Sequence, residues 1–193
     1  MDPDSMAFIF LQAFLINNLV LALFLGLCPF VGVSAKLETA FPMGLAVVCV
    51  MLVASLCAFG INILLVYFNI EYLRLICYIA VIASAVQLVE MTIKKFSPKL
   101  FRMLGIYLPL ITTNCAILGM ALFQTFDEYS ITQSLAYSLG AGAGFMLALV
   151  LMAGLRERLE LANVPDACTS AAIAMMLAGM LSMAFMGFAG LGG

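Results

Sequence analysis

Apolar residues run along this chain in long blocks, interrupted by short clusters of charge. The blocks cover residues 6–33, 39–66, 72–93, 100–126, 131–154 and 169–191. Each is long enough for a helix to cross the hydrocarbon core of a bilayer, which takes roughly 20 apolar residues. The pattern predicts an all-α polytopic membrane protein with six transmembrane helices. It leaves a single membrane domain over residues 1–193 and little chain for a soluble one. Composition agrees: 66% of residues are hydrophobic, 9% are charged and the mean hydropathy is +1.21, a balance that a soluble core of this size would not hide from water. The first block is expected to remain in the mature protein. Asp2 and Asp4 precede it where a cleaved signal would carry basic residues, and its apolar run is too long for a signal core.

Charge between the blocks predicts an orientation. Basic residues are retained on the cytoplasmic side of short loops. If the blocks alternate in direction, Lys36, Lys94, Lys95, Lys99, Arg102, Arg156 and Arg158 share one face. The other face carries Asp2, Asp4, Glu71, Asp127 and Glu128, with Arg74 its sole basic residue. Both termini are therefore expected on the non-cytoplasmic side. Membrane anchoring explains most of these cations, while the segment from Leu155 to Glu160, LRERLE, is also a candidate dock for a cytoplasmic subunit.

Three blocks precede the basic link and three follow it, so the halves, about 6–93 and 100–191, enter the membrane from opposite sides. Any duplication is then an inverted repeat. The echo between halves is Cys28-Pro29-Phe30-Val31-Gly32 against Cys115-Ala116-Ile117-Leu118-Gly119, each in the first block of its half. Inverted repeats place their special residues near the midplane, on discontinuous helices. Proline disfavours helical backbone in the residue before it, so Pro29 is expected to end regular helix at or near Cys28. Pro109 removes a backbone donor six residues ahead of Cys115 and is expected to kink or split the fourth block. A straight helix from Met6 would carry Cys28 across about 22 residues at ~1.5 Å each, to the far surface, whereas a broken path leaves it at mid-depth. Unwound backbone at that depth must be buried in protein. Asn17, Asn18, Thr112, Thr113 and Asn114 are suited to satisfying its polar groups, and their donors could also reach cluster sulfurs.

Cys28 and Cys115 are the candidate chemistry. A lone thiolate in hydrocarbon is costly, whereas a metal-bound one is stabilised by the ion. Iron and sulfide are the natural partners, and a cluster commonly takes four thiolates. A pair in this chain would therefore need a second polypeptide with its own pair. The alternative is that both cysteines are small apolar packing residues. Packing is the stronger reading for Cys49, Cys57 and Cys77, and nothing near Cys168 sets it apart. The chain has no histidine, which excludes a histidine-ligated haem, and it has no glycine-rich nucleotide motif. Gly140-Ala141-Gly142-Ala143-Gly144 suits close helix packing. The crowd of Met175, Met176, Met180, Met183 and Met186 reads as core or lipid-facing packing. Glu90 is the only carboxylate inside a block; a pair with Lys94 at helical spacing is favoured over a place in an ion path. Two other classes stay open at this point. Inverted repeats with broken helices also describe secondary transporters, and a purely structural subunit would need neither cysteine.

Several stretches together resemble the RnfA/NqrE family of bacterial membrane subunits. They are Asn17-Asn18, LGLCPFVGVSAKLETA from Leu25 to Ala40, GIYLPLITTNCAILG from Gly105 to Gly119, and Arg156-Glu157-Arg158 followed by Val164-Pro165. The resemblance runs over essentially the whole chain, and Pro29 and Thr113 look more like the Rnf branch than the Nqr branch. It implies a subunit of an Rnf-type complex in the bacterial cytoplasmic (inner) membrane. Such a complex couples electron transfer between ferredoxin and NAD to movement of Na+ or H+. The resemblance also implies that Cys28 and Cys115 are ligands of an intramembrane 2Fe-2S cluster shared with a homologous RnfE-type subunit of opposite orientation. Flavins and further clusters would sit in RnfB, RnfC, RnfD and RnfG types of subunit, so this chain alone holds no complete active site. A subunit of the Na+-translocating NADH:quinone oxidoreductase is the nearest alternative.

Overall fold

Without water to drive apolar side chains together, helices in a membrane associate through close packing and interhelical hydrogen bonds, and the close packing is concentrated along one central pair. A computed structural model of the chain describes residues 5–96, 108–160 and 171–187. Its described elements are helical. Helix α1, Met6–Leu11, continues as a π-helical turn, Gln12–Ile16, and is followed by α2, Leu27–Val33, α3, Leu37–Phe68, and α4, Arg74–Phe96. Then come α5, Leu108–Thr112, α6, Cys115–Phe126, α7, Ile131–Glu160, and α8, Ala171–Met186.

Helices α3 and α7 form the antiparallel centre. Gly44 lies against Met146, Gly142 against Val48, and Ser55 reaches the Ser134 carbonyl, so the contact follows both helices over several turns. The small-residue run of α7 serves two neighbours. A Cβ on Gly142 would stand 3.2 Å from the Val48 Cα, and one on Gly140 would stand 2.6 Å from the Phe10 carbonyl oxygen of α1. The packing role expected for this run is what the structure shows. Met43, Met51, Phe145, Leu149 and Met152 fill the interior, while all five methionines of α8 face outward, each more than half exposed.

Polar side chains inside the bundle act as fasteners. Ser55 donates to Gln124 Oε1 at 2.7 Å, and Gln124 Nε2 donates back to the Ser55 carbonyl at 3.1 Å, joining α3 to α6. The Tyr78 and Thr125 hydroxyls, 2.8 Å apart, join α4 to α6.

Where six crossing helices are expected, four among the described residues are long and apolar enough: Leu37–Phe68, Arg74–Lys95, Pro109–Phe126 and Ile131–Leu159. The first and last blocks hold shorter apolar helices, Met6–Ile16 and Ala172–Met186. In the first block the reason is physical, because the backbone leaves the helix at Asn17. Charges sort to the two ends of the bundle as the pattern predicts. Lys36, Glu38 and Glu157 line one groove, and the short turn between α3 and α4 returns Lys94 and Lys95 to that end. Arg74 and Glu128 line a cavity at the other end. Asp2, Asp4, Lys99, Arg102, Val164, Pro165 and Cys168 lie outside the described residues.

Candidate functional site at two helix breaks

The first break occupies residues 17–26, and a single side chain holds much of it. Asn18, 1% exposed, accepts from the Val20 and Leu21 amides at 3.0 and 3.4 Å and donates to the Gly144 and Phe14 carbonyls at 2.9 and 3.3 Å. The Leu21 carbonyl accepts from Ser182 of α8 at 2.6 Å, and Leu25 N–H donates to the Leu19 carbonyl. Leu19, Val20 and Leu21 are buried, so the first part of this irregular stretch is covered by protein, as a bilayer demands, while residues 22–24 are exposed on this chain. Positive φ angles at Phe24 (+56°) and Gly26 (+79°) turn the chain into α2.

Pro29 does not end a helix at Cys28; this corrects the sequence expectation. The preceding helix ends at Ile16, more than three turns earlier, and Pro29 sits in the first turn of α2, with Cys28 the second helical residue. A first turn has no intrahelical partner for the amide that proline lacks, and proline's fixed φ is already helical. Pro109 behaves likewise at the start of α5.

The second break is two residues wide, Thr113 and Asn114, and is closed locally. Thr113 donates to the Pro109 carbonyl from both its amide and its hydroxyl. Asn114 caps α6, its Oδ1 accepting from Ala116 N–H at 3.0 Å. Cys115 is therefore the first residue of a helix, as Cys28 is the second of another. The backbone-satisfying role expected of Asn18, Thr113 and Asn114 is visible in these bonds. Asn17 differs: it lines a cavity of about 210 Å³ with Gln12, Asp127, Tyr129 and Tyr137. Burial, reinforced by neighbouring Asp127, pushes the Tyr129 phenol in the α6–α7 turn up to about 12, so it stays protonated at physiological pH.

The two breaks meet. Gly26 N–H donates to Cys115 Sγ at 2.9 Å, two residues before Cys28. A Cβ on Gly26 would stand 2.7 Å from the Phe145 ring, 3.0 Å from Asn114 Oδ1 and 3.1 Å from the Ala116 Cβ. Further out, Gly32 faces Leu110 and Gly119 faces Leu25, so the glycine four residues after each cysteine receives a leucine from the segment just before the other cysteine.

Both thiols are exposed on this chain. That separates them from Cys57 and Cys77, which are partly covered; Cys49 is also exposed, but on unbroken α3. Among the described residues no three cysteine, aspartate or glutamate side chains gather in a way that could hold a metal. Two exposed cysteines at helix starts, one already receiving an N–H bond, fit half of a four-thiolate set, and N–H donors to sulfur are a recognised tuning element of such sites.

Arg156, expected at a docking face, reaches inward. Its Nη1 donates to the Val31 carbonyl at 2.9 Å and to the Ser34 hydroxyl at 3.0 Å, at the end of α2. Sequence reasoning missed this bond, the Ser55–Gln124 pair and the Ser182 tie. The signal available was the presence of polar groups within or bordering apolar blocks, which must find partners. Glu90 is half-buried in a tight apolar crevice with Val50, Val86 and Ile111.

A family model described as "Rnf-Nqr subunit, membrane protein" matches residues 6–192. The chain is 54% identical over 188 residues to a protein of Syntrophotalea carbinolica named as a subunit of the "Ion-translocating oxidoreductase complex", covering 97% of each chain. Proteins from Aeromonas hydrophila and Alkalilimnicola ehrlichii that carry the same designation are 54% and 53% identical, over 92% and 97% of each chain.

Proposed function

The chain belongs to the Rnf-Nqr family of membrane subunits, and from that premise we propose that it is the half-site of an electron relay within an ion-translocating oxidoreductase complex. It is a multi-pass membrane protein, placed by this reading in the bacterial cytoplasmic membrane. Its proposed topology is six crossings in two inverted halves with both termini outside the cytoplasm. Cys28 and Cys115 would supply two of four ligands to a 2Fe-2S cluster, with the other two coming from a homologous subunit of opposite orientation. The complex would pass electrons between ferredoxin and NAD and move Na+ or H+.

The observation that carries this reading is the meeting of the two breaks: Gly26 N–H on Cys115 Sγ, with both cysteines exposed on this chain. A cluster bound there would take up and release one electron at a time between the membrane faces. The protein's own part is to hold two sulfurs at fixed depth and donate an N–H to one. It also seals the broken backbone with Asn18, Asn114 and Ser182.

The test is iron and acid-labile sulfide content, with electron paramagnetic resonance after reduction, on the purified complex and its Cys28→Ser and Cys115→Ser forms. Each variant is expected to lose one two-iron signal while the complex stays assembled and keeps its flavins. An unchanged signal in either variant would overturn the assignment.

A further inference from the structure

Helix α2 is seven residues long, too short to persist by its own propensity. It carries Cys28 at one end. At the other, orphan carbonyls must find donors, and the chain brings one from 125 residues away. Arg156 Nη1 donates to the Val31 carbonyl and the Ser34 hydroxyl, at 2.9 and 3.0 Å. Ser34, the C-terminal flank of α2, is fully buried, and Val33 beside it is 1% exposed, so this is an interior anchorage. A guanidinium is always charged and suits the negative end of a helix. It lies close to the last turn of α7, whose remainder is packed along α3, so its base is rigid. Helix α6, by contrast, has its own asparagine cap and continues for twelve residues. Of the two helices that carry the candidate ligands, α2 is held at its far end by a cation from 125 residues away.

We infer that Arg156 is the positioning residue of Cys28: its two hydrogen bonds to the end of α2 fix the depth and orientation of that thiol, while Cys115 is set by the Asn114 cap of its own helix and by the Gly26 N–H on its sulfur. This rests on the relay reading only for its functional consequence. The segment from Leu155 to Glu160 thus has a role inside the protein, and whatever touches the bundle end at Lys36 and Glu157 adjoins the cation that steers one sulfur ligand.

Arg156→Met, Arg156→Lys and Ser34→Ala in the intact complex test it with two readouts. The first is hydrogen exchange of peptides over residues 27–34 and 115–126. Loss of charge-assisted bonds at a marginal helix is expected to speed exchange of the first peptide by on the order of tenfold in Arg156→Met. Ser34→Ala should speed it less, and the second peptide should change by less than about twofold. The second readout is the two-iron resonance. Arg156→Met is expected to shift its g values and midpoint potential at unchanged iron content, and Arg156→Lys to restore part of both. Equal exchange of the two peptides in every variant would overturn the inference, and so would faster α2 exchange with an unaltered resonance. If Arg156→Met does not accumulate, Ser34→Ala and Arg156→Lys decide by the same criteria. A wild-type complex with no two-iron signal would remove the relay reading, while the exchange comparison would still decide whether Arg156 holds the Cys28 helix.

Discussion

The two breaks reach the same end, an exposed cysteine at the start of a helix, by different means. The second spends two residues and closes itself, with Thr113 on Pro109 and Asn114 on Ala116. The first spends ten residues and borrows from distant helices: Gly144 of α7 through Asn18 and Ser182 of α8, with Arg156 at the end of α7 holding the short helix that follows. A short break can be encoded locally. A long one exists only if distant helices are already in place, so the first should be the more brittle, and variants at matched positions show by how much.

The largest difference is expected at Gly26. Gly26→Ala puts a side chain at φ +79° and a Cβ 2.7 Å from Phe145, and left-handed backbone plus overpacking should cost about 3 kcal/mol. A drop in the thermal unfolding midpoint of the detergent-solubilised complex would report it. Stability equal to wild type would mean that the left-handed turn is not required. Next comes the asparagine pair. Asn18→Ala strips partners from two buried amides and the Gly144 carbonyl and should cost about 2–3 kcal/mol. Asn114→Ala removes one helix cap and should cost about 1 kcal/mol, with Asn114→Asp or Asn114→Ser largely restoring it. A ratio near one between the two alanine variants would break the distinction between borrowed and local closure. The smallest effects belong to the glycines after the cysteines. Gly119→Ala meets the flexible end of Leu25 at 2.7 Å and should cost about 1 kcal/mol, while Gly32→Ala meets Leu110 at an ordinary 3.6 Å and should stay within about 0.5 kcal/mol.

Much of this is legible from the chain alone, and the reasons are specific. Long apolar blocks between charges mark crossing segments whatever their partners, so α3, α4, α6 and α7 fall inside predicted blocks or overrun them by a few residues. The cysteines stand out because their flanks echo each other. Breaks are expected near them because proline and asparagine are poor company for a continuous helix. The placement of the first break is not legible, because Pro29 reads the same whether it stops a helix or starts one. Which of the two it does depends on Asn18 being able to reach Gly144. Arg156 reads as a surface charge, since nothing in LRERLE reveals that Val31 lies within reach.

Local chemistry by itself determined that the chain lives in a membrane, where its long apolar helices run, and which two cysteines to watch. These follow from transfer free energies and backbone preferences, which act on each residue separately. The tertiary structure alone decided that the two breaks meet, that Gly26 faces Cys115, that Ser182 holds the long break from outside, and that Arg156 holds the helix after it. Those are contacts between residues some 90 to 160 positions apart, and in a medium as apolar as the side chains themselves, only shape and unpaired polar groups select among them.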